Sequence, residues 1–204
     1  MITFGIKSFK KKKYFCVYTL LIDNHDSFSY NIFHLVKSVD ASCKVRIVEV
    51  ENVRKKDILS ARRVIISPGP GLPTESSYLM QAVKWVEKEC PLLGICLGHQ
   101  AIALHFGGSL LHLAKPCHGV QSTLQIKDKS PMFKHIEQTK VARYHSWTVD
   151  KTTLPKQLQI TSFSEDGCIM SLQHKHLPIW GMQFHPESFV TMDGYQMVSN
   201  FFKL

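Results

Sequence analysis

The 204-residue chain has no apolar run near the ~18 residues that a membrane-spanning helix needs, so no membrane partner is expected. It shows no signal-peptide core or small-residue cleavage site, and a cytoplasmic protein is the expectation. None of its six cysteines (Cys16, Cys43, Cys90, Cys96, Cys117 and Cys168) forms a C-x-x-C pair. Without a secretory signal, their even count does not imply disulfides. There is no internal repeat, and no low-complexity stretch beyond Lys10–Lys13. A glycine-rich turn is present but lacks the G-K-[ST] that would make it a phosphate loop.

What remains is ordinary for a globular enzyme or binding protein: 44% hydrophobic and 20% charged residues, enough to bury a core. The net charge of +9 is concentrated. Five lysines fall within residues 1–13, leaving +4 on the rest. The segment 1–13 reads as a basic, solvated extension, and 14–204 as one domain. A nucleic-acid-binding protein using the lysine run is the non-enzymatic alternative.

Short β-rich runs alternate with helical windows. Strands are predicted at 14–22, 44–50, 63–67 and 92–95. Helices are predicted from Phe28 to about Ser38 with Ser27 as N-cap, at about 76–88, and at 98–106 before Gly107-Gly108. This rhythm predicts an α/β fold with a mostly parallel, doubly wound sheet and helices on both faces. The second half holds short strands at 110–113, 123–127, 141–143, 158–163, 169–173 and 179–184. They read as a small antiparallel addition, closed by a helix at 194–202.

Three segments carry chemistry. Gly94-Ile95-Cys96-Leu97-Gly98 is G-x-C-x-G between a buried strand and a helix, the thiol counterpart of a nucleophile elbow. The glycines allow a sharp turn, and the helix N-terminus aims its amides at the sulfur, which favours a thiolate. His185-Pro186-Glu187 ends an apolar strand: His185 can serve as base and Glu187 can orient it. Ser67-Pro68-Gly69-Pro70-Gly71 ends another strand, where α/β proteins place their sites. The amides of Gly69 and Leu97 are the expected oxyanion donors. These features leave hydrolase, peptidase and acyl-transfer chemistry open. Around them, Asp23–Ser27 reads equally as turn-and-cap chemistry or as part of a site. His174 and His176 read as surface histidines, since no third ligand is in view. Tyr144–Trp147 is polar enough to meet a substrate.

The ordered set LLIDNHDSFSYN (20–31), ISPGPGLPTE (66–75), LLGICLGHQAIALHFGG (92–108), HGVQ (118–121), RYHSW (143–147) and GMQFHPESFVTMDG (181–194) resembles the class I, triad-type glutamine amidotransferases. Within them it is most similar to the small subunits of anthranilate synthase and aminodeoxychorismate synthase. The resemblance implies glutamine hydrolysis through a glutamyl thioester on Cys96, with His185 and Glu187 completing the triad. It implies glutamine contacts from Gly69, Pro70, Gly71, Gln100 and the Ser146–Trp147 backbone. It also implies a chorismate-binding synthase subunit as partner, no nucleic acid, and no cofactor in this chain, the partner being the subunit that uses Mg2+. Trp147 stands where relatives often have leucine, Val120 where lysine is common, and His25 where tyrosine is frequent.

Overall fold

In β1 (Tyr18–Asp23), Leu20 and Ile22 face one side of the sheet and Leu21 the other, and all three are fully buried. A strand covered on both faces reads as a continuous apolar run, the mark of a parallel sheet flanked by helices. The computed structural model describes residues 18–127 and 130–204. The basic segment 1–13 and residues 14–17 of the expected first strand lie outside the described residues.

After β1 come α1 (Ser29–Val39), β2 (Val45–Glu49), α2 (Lys55–Ser60), β3 (Ala61–Ile66), α3 (Ser77–Val86), β4 (Leu92–Ile95) and α4 (Leu97–His105). Then follow β5 (Leu110–Thr123), β6 (Gln125–Ile126), β7 (Lys140–Val149), β8 (Leu158–Phe163), β9 (Ile169–His174), β10 (Ile179–Met182) and α5 (Gly194–Phe202). Eight strands form one sheet in the order β2-β1-β3-β4-β10-β9-β8-β6. The first five are mutually parallel, and β9, β8 and β6 extend the sheet antiparallel. Strands β5 and β7 pair with each other as a separate ribbon.

Two apolar layers cover the main sheet. Leu79, Val83 and Val86 of α3 and Ile102 of α4 pack with Leu20, Ile22, Val64 and Leu92. Ile32 and Val36 of α1 and Met197 and Phe201 of α5 pack with Leu21, Ile65 and Leu93. Each such side chain contributes roughly 1.5–3 kcal/mol on burial. Helix α3 starts where Ser76 Oγ accepts the Leu79 N–H at 3.2 Å, satisfying one of the helix's free N-terminal donors. No described helix is long and apolar enough to cross a membrane.

Several details differ from the sequence-based expectation. Ser27 does not cap α1: the helix begins at Ser29, and Asp26 Oδ1 takes the Phe28 N–H at 2.7 Å. Helix α2 was not foreseen, because six residues with Ile58 as their one buried apolar side chain show no periodicity. Its start is held by Asp57 Oδ2, which accepts the Arg54 N–H at 2.9 Å. Strand β5 runs to Thr123 rather than stopping at 113, and β7 runs from 140 to 149 rather than 141 to 143. Pro116 and Gly119 (φ +70°) hid β5, and the ribbon absorbs them through register shifts. His174 is buried, not a surface residue: its Nδ1 accepts the N–H groups of His176 and Leu177 at 3.0 and 2.8 Å. That is turn chemistry, and no metal-holding cluster occurs among the described residues.

Candidate active site

Because β1, β3, β4 and β10 are parallel, the segments following all four leave the sheet at one edge. Those segments are Asn24–Phe28, Ser67–Gly71, Cys96 and Gln183–Glu187. Three of them are the ones that sequence chemistry singled out.

Cys96 occupies the elbow between β4 and α4 with φ +49° and ψ −100°, a conformation L-residues rarely hold. The flanking glycines make it possible. A Cβ on Gly94 would lie 2.5 Å from the Gly98 carbonyl, and one on Gly98 would lie 2.8 Å from the Ile66 oxygen. The Cys96 N–H is tied to the Met182 carbonyl at 2.7 Å, which fixes the elbow to β10. The thiol is 7% exposed. Its sulfur meets the Tyr144 carbonyl at 3.8 Å and Gln183 Nε2 at 3.6 Å, and His185 also interacts with this side chain.

His185 lies just beyond β10 and bridges to β7, donating its N–H to the Ala142 carbonyl at 3.1 Å. Nδ1 meets Glu187 Oε1 at 2.7 Å, and Nε2 has no partner at hydrogen-bonding geometry among the described residues. The rings of Phe28 and Tyr144 meet the imidazole edge-on, with centroids 5.7 and 5.2 Å away. Burial alone would push this imidazole down. The Cys96 side chain and the Glu187 carboxylate outweigh burial and raise it to about 10, so it carries its proton at neutral pH. The Pro186 turn packs on the first residue of α5, where a Cβ on Gly194 would strike the Pro186 oxygen.

Gly69 sits against the elbow. A Cβ there would lie 2.6 Å from Asn24 Cβ and 2.8 Å from Leu97 Cδ2. Asn24 braces this loop, its Nδ2 donating to the Ser67 carbonyl at 2.9 Å. Asp23 and Asp26 make local turn and cap bonds. No acceptor among the described residues takes the Gly69 or Leu97 N–H. That is what an oxyanion site requires.

A pocket of about 260 Å³ opens beside Cys96 and is lined by Gly69, Gly71, Leu97, Gln100, Ser146 and Trp147. Pro70 is the expected residue that does not line this pocket; it is exposed. Sequence reasoning missed Cys117 and His118, which line the pocket from β5, and Gln183, which touches the sulfur. Tyr144 and His145, in the segment expected to meet a substrate, line it too. His145 is pushed down to about 4 by burial and by the Arg143 guanidinium, so it is neutral. The assembly can therefore exchange a proton between a thiol and a carboxylate-backed imidazole, next to two free amides and a pocket sized for a small polar molecule.

A family model for class I glutamine amidotransferases matches residues 20–204, and the chain belongs to that family. It is 38% identical to the aminodeoxychorismate synthase component 2 of Klebsiella aerogenes, over 89% of this chain and 97% of that protein. It is 37% identical to the anthranilate synthase component 2 of Azospirillum brasilense, over 89% and 93%. Other relatives are larger: the chain is 38% identical to the bifunctional protein TrpGD of Thermotoga maritima but spans 32% of it. A solved Thermotoga maritima glutamine amidotransferase shares the fold, with a TM-score of 0.67 at 18% identity over 84% of this chain and 76% of that one.

Proposed function

We propose that this chain hydrolyses glutamine through a Cys96 thioester and passes the ammonia to a chorismate-utilising synthase subunit in the cytoplasm, forming anthranilate or aminodeoxychorismate. The observation that carries the proposal is Cys96 at the elbow with the buried His185 and Glu187 side chains after β10, next to a pocket with free Gly69 and Leu97 amides. Relatives named as components of both synthases match over nearly their full length, which supports a heteromeric partner.

In this mechanism the Cys96 sulfur attacks the carboxamide carbon of glutamine. The developing oxyanion faces the Gly69 and Leu97 N–H groups. His185, already protonated, gives its Nε2 proton to the departing amine, which leaves as ammonia. Water then attacks the thioester while His185 takes a proton from it, and glutamate leaves. Glu187 holds the imidazole in place through both proton transfers. Gly71, Gln100 and the Ser146–Trp147 backbone hold the substrate's amino-acid end. Gln100 Nε2 is engaged by the Trp147 carbonyl and Gln183, so its Oε1 is the atom left for substrate. The reading assigns no cofactor to this chain and leaves Mg2+ to the partner. The test is glutamine-dependent ammonia release by the purified chain, with and without a chorismate-binding synthase subunit. A rise on adding the partner is expected; peptide cleavage without glutamine turnover would overturn the proposal.

A further inference from the structure

Gln183 is fully buried, lies directly after β10, and has no part in the triad chemistry above. Its amide can be oriented by following donors from a group that has no choice. The Arg143 guanidinium only donates, so His145 Nε2, 3.1 Å from Arg143 Nε, is an acceptor. His145 Nδ1 therefore carries the proton and donates to the Trp147 carbonyl at 2.9 Å. That carbonyl only accepts, so the Gln100 atom 2.9 Å from it is the amide nitrogen, Nε2. The same nitrogen meets Gln183 at 3.1 Å, which makes the facing atom the oxygen, Oε1. Gln183 must then turn its Nε2–H toward the Cys96 sulfur, at 3.6 Å. The sulfur also lies 3.8 Å from the Tyr144 carbonyl, an acceptor.

The two neighbours thus favour different protonation states. The thiol can donate to Tyr144 O, whereas Gln183 can only donate, and a sulfur accepts far better when it is a thiolate. We infer that Gln183, beside the His185 imidazolium, is a second group that holds the Cys96 thiolate, and that the Trp147–Gln100–Gln183 chain links the pocket wall to the sulfur. The inference rests on the glutamine-hydrolysis reading and deepens it by naming what steadies the attacking atom. Removing the donor leaves the sulfur with the Tyr144 carbonyl and the His185 imidazole, so one of the two groups that favour the thiolate is lost and the thiol gains at its expense. The other titratable groups around the sulfur are His185 and Glu187 after β10, Tyr144 and His145 on β7, and Cys117 and His118 on β5. None of them is altered in the variants below.

The test is the rate of Cys96 alkylation by iodoacetamide from pH 5 to 10, followed by mass spectrometry of the Cys96 peptide. Gln183→Met keeps the side-chain length and removes the donor. Gln183→Glu keeps the shape and replaces the donor with an acceptor. Thermal melts identify the folded variants, and either one suffices. At pH 7 the folded variant is expected to alkylate about tenfold more slowly than wild type, the low end for a lost bond to a charged group, with its rate profile moved to higher pH. Profiles that superimpose on wild type would overturn the inference. The assay contains no glutamine, so a chain without glutaminase activity would sink the proposed function while leaving this readout intact.

Discussion

Nδ1 of His185 lies 2.7 Å from Oε1 of Glu187, and their side chains are 4% and 0% exposed. A charge pair this deep is costly to break, because losing one partner strands the other without solvent. Together with the Cys96 side chain it accounts for the raised imidazole, and it makes Glu187 the residue on which the orientation of that imidazole depends.

Replacing Glu187 by Gln should therefore lower glutaminase kcat by about 10⁴-fold, in line with the effect of neutralising the orienting acid in other triads. The imidazole should titrate well below its wild-type value of about 10, as NMR of the His185 ring would show. The sign for stability follows. A raised imidazole stabilises the fold fully below its ordinary 6.5 and loses that contribution as pH climbs through about 10. Wild type should lose stability over that alkaline range, and Glu187→Gln should lose less.

Gly98→Ala should destabilise the chain by about 2–3 kcal/mol, seen as a lower urea midpoint. The new methyl would sit 2.8 Å from the Ile66 oxygen and from Ile66 Cγ2, where the backbone of β3 cannot retreat. Activity should fall further than stability, since the helix that carries Leu97 and Gln100 would have to shift.

On the acid side, His145 and His99 set the trend. Both are buried and neutral, pushed down to about 4 and about 3 chiefly by burial. A depressed histidine stabilises fully above 6.5, and that stability is lost as pH falls toward its folded value. From pH 7 to 5, each should remove roughly 2 kcal/mol, because the unfolded chain takes up the proton that the folded chain refuses. In His145→Gln the drop in urea stability between these two pH values should shrink by about that amount.

Much of the site was legible because backbone sterics write it into the sequence. Gly94 and Gly98 mark the elbow since any larger residue collides, and Pro186 with Gly194 marks the turn that carries His185 and Glu187. The parallel sheet was legible from doubly buried apolar runs such as Leu20–Ile22. The wall facing Cys96 was harder to see. Cys117 and His118 reach the pocket on a strand interrupted by Pro116 and Gly119, which break the alternation that identifies strands. Gln183 sits in an apolar run that reads as continuing strand, and its role depends on the direction of an amide set two hydrogen bonds away, at the Trp147 carbonyl. Pro70 is expected as a contact because Gly69 and Gly71 flank it, and in the structure those two glycines line the pocket while Pro70 does not.

The most direct test is to combine the chain with a chorismate-binding synthase subunit and measure product from glutamine and, separately, from ammonium salt. Cys96→Ala should abolish glutamine-dependent synthesis and ammonia release while leaving ammonium-dependent synthesis at the wild-type rate. A Cys96→Ala chain that still released ammonia from glutamine would contradict the account.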